Sequence, residues 1–337
     1  EIYTLSLHDA LPIFGRATEI PRLGYRLHLF PVRGLKRDWS LQALFGNLGV
    51  LADFASSLLK AVALIREERP DVVVGTGGFV SAPVLLAAQL TGCHSLIQEQ
   101  NAFPGVTTRL LSQRASEVHL SFGEAKAYIH RRRGVFVSGN PARSFASVDG
   151  DTARKRFGLH EPIPTLLVFG GSRGARAINN AILEWIGTIT ERANLIWQTG
   201  ALDHERISTR ITLSGRVWCG AYIERMGDAY AAADLVLCRA GASSIAELAN
   251  VGKPSVLVPY PHAAGNHQHH NAQVLADVGA ALLLDDAALA GASSKQRVLE
   301  LLHDADRLSV MGAASGRLAR PDAARRLAER IVQLAQP

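Results

Sequence analysis

The stretch from Cys238 to Asn271 holds the densest set of residues that could bind an anion or a sugar. A predicted buried strand, Leu235–Arg239, leads into a turn of small residues, and a helix is expected to follow and to end at Gly252. A helix start offers backbone N–H groups without partners in the helix, together with the positive end of the helix dipole. Ser243 and its neighbours are therefore predicted to bind a phosphate group.

Glu247 allows two interpretations from the residues alone. Ser244 and Glu247 have the spacing of a capping box, in which the serine caps the helix and the glutamate bonds back to the cap residue. A carboxylate at this position could instead accept hydrogen bonds from both hydroxyl groups of a ribose, which would select a nucleoside. The spacing leaves both roles open.

A second glycine-rich turn, Gly170–Gly174, lies between a predicted strand and a predicted helix. Its Gly-Gly-x-x-Gly spacing differs from the G-x-G-x-x-G fingerprint of dinucleotide-binding folds, so an NAD site is not predicted. A tight turn before a helix still suits a pyrophosphate, with the Ser172 hydroxyl as a donor. The turn at Thr76-Gly77-Gly78 is either a further anion site or a simple strand-to-helix connection.

A loose cluster of histidines raises the question of a metal site; it consists of His262, His267, His269 and His270. No cysteine or suitably spaced carboxylate completes a zinc ligand set, so neither a metal nor a cofactor is predicted. Gln268 and Asn271 are expected to hydrogen-bond sugar hydroxyl groups instead.

Composition narrows the class of protein. The 337 residues are 47% hydrophobic, enough to bury a large core and form two domains. Three cysteines give no disulfide framework, which favours a reducing compartment. The apolar runs fall far short of the ~20 residues that a membrane span needs. No signal peptide is apparent.

The charge balance favours an anionic partner. The net charge is +6 and the pI is about 9.5. Aromatic residues make up only 6% and do not alternate with basic ones, so nucleic acid is not predicted as a partner. An anionic lipid surface fits the charge, and a substrate that carries a diphosphate fits it better.

Five motifs in series identify a family resemblance. The Cys238–Asn271 stretch is preceded by GTGGFVSAP (75–83), EQN (99–101), GNPAR (139–143) and GGSRGAR (170–176). Their types and order resemble the bacterial MurG family of glycosyltransferases, from about residue 19 to the C-terminus. The resemblance implies an α/β protein of the GT-B class, with two Rossmann-like domains whose parallel sheets face across a cleft. Ligands in such folds sit at the carboxyl ends of the strands.

The resemblance also implies a reaction. Members transfer N-acetylglucosamine (GlcNAc) from UDP-GlcNAc, with inversion, to undecaprenyl-pyrophosphoryl-MurNAc-pentapeptide, which converts lipid I to lipid II in peptidoglycan synthesis. The implied partners are UDP-GlcNAc, this lipid-linked muramyl-pentapeptide and an anionic membrane surface. The implied location is peripheral, on the cytoplasmic face of the bacterial cell membrane. The alternatives are another UDP-sugar enzyme of this architecture, such as an epimerase or glycolipid transferase, and a non-catalytic UDP-sugar binding module.

The resemblance implies roles for specific positions. Arg143 is expected to bind the donor phosphates, Ile223 to recognise uracil through its backbone, and Glu247 to bind the ribose. The general base is not identified, because the family's histidine belongs to a Gly-Gly-Thr-Gly-Gly-His loop that this sequence lacks; Glu99 is a candidate that could orient the acceptor. The full set of predicted substrate-binding residues is Asn101, Arg143, Ser172, Ile223, Ala242, Ser243, Ser244, Ile245, Ala246, Glu247, Gln268 and Asn271.

The expected domain organisation follows the same resemblance. Residues 1–13 look like a non-native extension and are excluded from the fold. Residues 14–146 are expected to form an acceptor-side and membrane-side domain that lacks the family's first strand, loop and helix. Residues 147–320 are expected to bind UDP-GlcNAc, and 321–337 to form a helix that returns to the first domain. A chain with this gap is expected to bind UDP-GlcNAc yet turn it over poorly.

The predicted helix Leu41–Arg66 has an apolar stripe with two interpretations. Packing against the sheet is favoured for such a stripe. The other interpretation is an apolar patch that dips into the membrane interface beside basic residues. That patch would comprise Leu44, Phe45, Leu48 and Phe54, near Arg33, Lys36 and Arg37.

Overall fold

The computed structural model describes residues 3–7, 20–32, 41–131, 133–160, 162–171 and 173–336, without the side chains of 3–7 and 41–48. The chain forms two compact units. The first comprises Glu1–Ser138 together with Arg325–Pro337, and the second comprises Gly139–Ala324. Each unit is built on parallel strands.

The first unit has a four-stranded parallel sheet in the order β3-β4-β5-β6 and a separate parallel pair, β1-β2. Its strands are β1 (Tyr3–Leu7), β2 (Arg26–Phe30), β3 (Val72–Gly75), β4 (His94–Glu99), β5 (Glu117–Leu120) and β6 (Val135–Val137). Its helices are α1 (Leu41–Glu68), α2 (Ala82–Thr91) and α3 (Val106–Leu111). Helix α2 ends where the sequence predicts, at Gly92, which adopts a left-handed φ of 77°.

The exclusion of residues 1–13 from the fold is wrong for Tyr3–Leu7. These five residues form β1 and pair in parallel with β2, with Tyr3 opposite Arg26 and Leu7 opposite Phe30. The physical reason is the alternation of larger and polar residues in Tyr-Thr-Leu-Ser-Leu, which suits a strand. That the segment is non-native stays a prediction.

Helix α1 packs one side into the core of the first unit. Ala61 and Ile65 are buried there, and Leu58 and Val62 pack against them, as the core interpretation predicts. Of the proposed membrane patch, Phe54 is half-buried. The other patch side chains, at 44, 45 and 48, and the basic residues 33, 36 and 37 lie outside what the structure describes. Within the described ranges, no helix combines the length and apolar character of a membrane span.

The second unit contains a six-stranded parallel sheet in the order β12-β11-β10-β7-β8-β9. Its strands are β7 (Thr165–Phe169), β8 (Asn194–Gln198), β9 (Val217–Gly220), β10 (Leu235–Cys238), β11 (Ser255–Leu257) and β12 (Ala281–Leu283). Its helices are α4 (Gly150–Arg156), α5 (Arg176–Arg192), α6 (His204–Ser208), α7 (Met226–Ala232), α8 (Ala242–Val251), α9 (His267–Asp277), α10 (Ala292–Leu302) and α11 (Ala305–Arg317). A last helix, α12 (Ala323–Leu334), begins in the second unit and continues into the first.

The core of this unit forms because its central strands are mostly apolar. Every residue of β7, β8 and β10 is buried. Continuous apolar strands of this kind are typical of a parallel sheet covered on both faces. The largest fully buried side chain is Trp197 on β8, which packs in one cluster with residues of α5.

The division between the units falls at 138/139, whereas the sequence analysis placed it at 146/147. The irregular segment before α4 belongs to the second unit because its side chains pack there. Arg143 forms an ion pair with Glu247, and the Phe145 ring lies 5.4 Å from the Tyr230 ring. The chain returns to the first unit at Arg325, compared with the predicted 321.

An ion pair fastens α12 to the sheet of the first unit. The Arg330 guanidinium donates to both carboxylate oxygens of the buried Glu117 on β5 and lies 5.3 Å from the Phe136 ring. The His119 ring bonds Glu117 at 2.9 Å and Ser138 at 2.7 Å. Burial opposes ionisation of Glu117, but the hydrogen bonds from Arg330 and His119 outweigh it and lower the pKa of this carboxyl.

Glu117→Gln should therefore lower the free energy of unfolding at pH 7 by about 1–3 kcal/mol, because Arg330 loses its charged partner. A folded-state pKa below the unfolded one contributes stability above about pH 4.3, and that stability is lost as pH falls through the lowered pKa. The difference between wild type and variant should thus be smaller at pH 3 than at pH 7. Denaturant unfolding at both pH values measures it.

The matched control for this substitution is Glu124→Gln, which changes an exposed glutamate of the same unit. It should leave the unfolding free energy unchanged at either pH. A Glu117→Gln difference that is as large at pH 3 as at pH 7 would show that charge is not its cause.

Candidate functional site

The predicted anion-binding turns follow neighbouring strands of the second unit. Strands β7 and β10 pair in parallel, and Phe169 at the end of β7 lies opposite Cys238 at the end of β10. The turn 170–174 and the turn 239–241 therefore leave the sheet side by side at its carboxyl edge. The helices α5 and α8 begin just after these turns. This edge is where open parallel sheets place their ligands.

Of the two interpretations of Glu247, the capping box with Ser244 does not form. Helix α8 begins earlier, with Gly241 as its N-cap, and no side chain caps it. Gly241 is extended, with φ −67° and ψ 141°, so the helix can start at Ala242. Ser244 then lies inside the first turn. Of the first-turn residues, Ala242 and Ile245 are buried, whereas Ser243 is exposed.

The start of α8 has backbone N–H groups that could bind an anion, and anion binding here stays a prediction. The Ile245 N–H donates to the Gly241 carbonyl at 3.0 Å, which is the first bond of the helix. The N–H groups of Ala242, Ser243 and Ser244 precede that bond and therefore have no partner within the helix. They and the helix dipole favour a negative group at this position.

The turn after β7 is fixed by close contact between two backbone segments. Gly174 has φ +81°, and a Cβ at this residue would lie 2.1 Å from the Thr199 carbonyl oxygen. Gly200 has φ +80°, and its Cβ would lie 2.0 Å from the Gly174 nitrogen. Only glycine fits at these two positions. Ser172, predicted to bind the pyrophosphate, lies outside the described residues.

Buried polar side chains hold the Thr199–Gly200 segment in place. Asn179 donates to the Thr199 carbonyl at 2.8 Å and to Asp203 at 3.0 Å, and it accepts from the Trp197 indole at 3.1 Å. Burial disfavours the Asp203 carboxylate, but its hydrogen bonds to Asn179 and Arg206 outweigh this and lower its pKa. Asp203 thus stays charged and keeps the turn rigid.

Arg143 and Glu247, predicted to bind phosphate and ribose, bind each other. Arg143 Nε donates to Glu247 Oε1 at 2.7 Å, and Arg143 Nη2 donates to Oε2 at 3.2 Å. The Tyr230 hydroxyl donates to the same Oε2 at 2.9 Å. The carboxylate side chain is 7% exposed, whereas the arginine side chain is 54% exposed. The cluster therefore has one face open to solvent, on the arginine side.

The protonation states in this cluster follow from its contacts. Burial, and then the charge of Glu247, raise the pKa of Tyr230 well above that of an exposed tyrosine. The hydrogen bond to Glu247 raises the pKa of Arg143. Tyr230 thus acts as a donor and Arg143 as a permanent cation. Tyr230 was not anticipated from the sequence, because a lone tyrosine on α7, five residues before β10, belongs to no motif.

The remaining predicted residues of this unit occupy different environments. The backbone N–H of Ile223 donates to Gln198 Oε1 at 2.8 Å, so it is already engaged. Asn271 is fully buried and donates to the Ala240 carbonyl at 3.3 Å, behind the turn that precedes α8. Gln268 accepts from the Tyr260 N–H at 2.9 Å. Ala246 is half-buried within α8.

Glu99 and Asn101 lie together in the first unit, just after β4. Glu99 is buried; its Oε1 accepts from the Asn101 N–H at 3.0 Å and its Oε2 from the Thr108 hydroxyl at 2.6 Å. These bonds fold the segment between β4 and α3 onto the carboxylate. Glu99 thus stabilises a loop at the carboxyl edge of this sheet, and its oxygens are not directed at solvent.

The histidines considered for zinc do not assemble a ligand set. Among the described residues, no group of three or more His, Cys, Asp or Glu side chains is placed to hold a metal ion. His267 bonds the Ala264 carbonyl at 2.8 Å, and the His262 ring packs edge-on to Tyr260.

Comparison with known proteins extends these observations. Residues 15–120 match the glycosyltransferase family 28 N-terminal domain, and residues 165–327 match the glycosyltransferase family 28 C-terminal domain. A relative from Chlorobium limicola, named UDP-N-acetylglucosamine--N-acetylmuramyl-(pentapeptide) pyrophosphoryl-undecaprenol N-acetylglucosamine transferase, is 68% identical over 321 residues. That alignment covers 95% of this chain and 88% of the relative.

Two solved structures show the same architecture. The crystal structure of MurG from Acinetobacter baumannii has a TM-score of 0.73 at 25% identity, and the match covers 98% of this chain and 90% of that one. A putative UDP-N-acetylglucosamine 2-epimerase from Listeria monocytogenes has a TM-score of 0.58 at 14% identity, covering 98% and 96%. At 14% identity, the similarity to the epimerase concerns the fold alone.

The predicted resemblance and fold class are confirmed by these matches, which reach both units. Each unit contains a parallel sheet, and the relative that is 68% identical aligns with nearly the whole of this chain. The chain therefore belongs to the MurG family within glycosyltransferase family 28 and is a glycosyltransferase of the GT-B fold.

Proposed function

We propose that the chain transfers GlcNAc from UDP-GlcNAc to an undecaprenyl-pyrophosphoryl-MurNAc-pentapeptide, which forms lipid II from lipid I. The observation that carries this proposal is the Arg143–Glu247 pair, in which a cation meets a carboxylate of α8 at 2.7 Å. A nucleoside diphosphate offers a matching pair of groups, since its phosphates are anionic and its ribose carries two hydroxyl donors.

Donor binding would separate this pair. A carboxylate has about four acceptor positions, and Arg143 and Tyr230 use three on Glu247. Two ribose hydroxyls therefore displace at least one arginine bond. The released guanidinium then turns to the diphosphate, for which its planar fork is suited. Tyr230 keeps the carboxylate in place during this exchange.

The chemistry needs stabilisation of the leaving group more than any one acid or base. The acceptor's sugar hydroxyl forms a bond to C1 of GlcNAc, the bond from C1 to the diphosphate oxygen breaks, and UDP leaves with the electron pair. The hydroxyl proton passes to a base that the described residues do not identify. The starts of α5 and α8 and Arg143 face the negative charge that develops on UDP, and fixed dipoles of this kind supply much of enzymatic rate enhancement.

We further propose that α1 meets the membrane that carries the acceptor. Leu51 and Leu59 on this helix are 57% and 72% exposed, and they lie eight positions apart, on similar sides of the helix. The positive net charge supports attraction to anionic lipids. A peripheral position on the cytoplasmic side of the cell membrane is part of this proposal.

The test is transfer of labelled GlcNAc from UDP-GlcNAc to the lipid-linked acceptor in anionic or neutral vesicles. We expect label in the lipid fraction, with a higher initial rate in the anionic vesicles. A second version carrying a Gly-Gly-Thr-Gly-Gly-His unit N-terminal to Pro21 should react faster if the family's loop supplies the base.

The outcomes separate the alternatives. Label in diacylglycerol in place of the muramyl acceptor would make the chain a glycolipid transferase, and an epimerised UDP-sugar would make it an epimerase. Binding of UDP-GlcNAc without transfer by either version would favour a non-catalytic module. Absence of UDP-GlcNAc binding would contradict every one of these functions.

A further inference from the structure

Gln198 connects the two loops of the second unit that are expected to meet the donor nucleotide. It is the last residue of β8, which lies between β7 and β9 in the sheet. Its register partners are Phe169 on one side and Gly220 on the other. The chain leaves Phe169 for the glycine turn before α5, and it leaves Gly220 for the segment that contains Ile223.

The side-chain amide of Gln198 uses each of its two ends on a different loop. Its Nε2 donates to the Gly171 carbonyl at 3.1 Å, and its Oε1 accepts from the Ile223 N–H at 2.8 Å. The residue is only 5% exposed, so water does not compete for these bonds. Neither methionine nor glutamate can reproduce both bonds, since the first has no comparable polar end and the second has no N–H.

The bond to Ile223 restricts how that residue can recognise a base. Its N–H is taken, and among the described residues nothing donates to its carbonyl oxygen. A carbonyl accepts hydrogen bonds and does not donate them. It therefore suits the N3–H group of uracil, whereas cytosine presents an unprotonated N3 at the same position.

We propose that Gln198 is a positioning residue for the donor nucleotide: it fixes the Ile223 carbonyl for a uracil N3–H and, through Gly171, couples that base site to the pyrophosphate turn. The proposal rests on the proposed use of UDP-GlcNAc, and it goes beyond it by naming a residue that sets base selectivity without touching the ligand. Removing the amide should therefore change which base is bound, as well as how tightly.

The experiment is calorimetric titration of the full chain with UDP, CDP and uridine. For Gln198→Met we expect UDP affinity to fall by about tenfold, the usual effect of a lost buried hydrogen bond, with a smaller fall for CDP. The ratio of UDP to CDP affinity then drops. Gln198→Glu keeps an acceptor for Ile223 but loses the bond to Gly171, so the base ratio should stay near that of the wild type. Instead, the ratio of UDP affinity to uridine affinity should fall.

A control variant isolates the general cost of losing a glutamine bond. Gln89→Met in the first unit removes a donation of 2.9 Å to the Leu111 carbonyl, and neither residue belongs to the second unit, which carries the proposed base site. It should lower the thermal midpoint while leaving all three affinities unchanged.

Two results would overturn the proposal. One is an unchanged ratio of UDP to CDP affinity in folded Gln198→Met, which means that both nucleotides lose affinity equally. The other applies if Gln198→Met does not fold: a Gln198→Glu protein whose ratio of UDP to uridine affinity equals that of the wild type would also overturn the proposal. A wild-type chain that binds none of the three ligands would remove the proposed function itself, so the two failures are distinguishable.

Discussion

Glu247→Ala should weaken UDP binding by about two orders of magnitude, because two hydroxyl bonds to a charged acceptor are lost and each is worth ~1.5 kcal/mol or more. The same change should abolish any preference for UDP over 2′-deoxy-UDP. Calorimetry with both nucleotides measures the effect. The expected cause is local, since Glu247 sits at the middle of α8 with its carboxylate held by Arg143 and Tyr230.

A second variant separates the ligand role of Glu247 from its structural one. Tyr230→Phe removes one donor to the carboxylate but leaves the acceptor itself in place. It should lower stability by about 1–2 kcal/mol and keep most of the discrimination between UDP and 2′-deoxy-UDP. Equal UDP affinity in the wild type and Glu247→Ala would exclude Glu247 from the ribose site.

Gly174→Ala should strongly destabilise the second unit. A side chain at φ +81° is strained, and its Cβ would lie 2.1 Å from the Thr199 carbonyl oxygen, so the backbone must move. Strain and overpacking together predict a loss of about 3 kcal/mol or more. Because the turn before α5 then shifts, UDP affinity should fall in parallel. Denaturant unfolding and calorimetry check the two effects.

Gly171→Ala is the matched control in the same turn. Its φ is +96°, but no atom lies within 4 Å of the Cβ position. The Gly171→Ala variant therefore has backbone strain without a steric clash, and its free energy of unfolding should fall by only about 1 kcal/mol. If the two alanine variants were equally stable, close backbone contact would not be the reason for glycine at 174.

Sequence patterns predicted the sheet of the second unit well, for a clear physical reason. Strands β7 and β10 are continuous apolar runs, and glycines mark the turns that follow them. These are local signals. The start of α8 was misplaced because both Gly241 and Ser244 are acceptable caps, and only tertiary packing decides between them.

The sequence indicates candidate site residues one by one, but it does not indicate which of them contact each other. Arg143 and Glu247 are 104 positions apart in the chain, and no local spacing indicates that they pair. Tyr230 and Gln198 were missed because each acts through a bond to another residue, and a lone tyrosine or glutamine at a strand or helix has no distinctive pattern. Their roles require the three-dimensional contacts.

The position of α12 has a consequence for biosynthesis. The first unit includes Arg325–Pro337, and Arg330 from this segment binds Glu117 on β5. Translation therefore completes the second unit before the first can close, so a nascent chain carries an unfinished N-terminal half until its last turns leave the ribosome. A protein shortened before Arg325 would leave the Glu117 carboxylate buried without its cation.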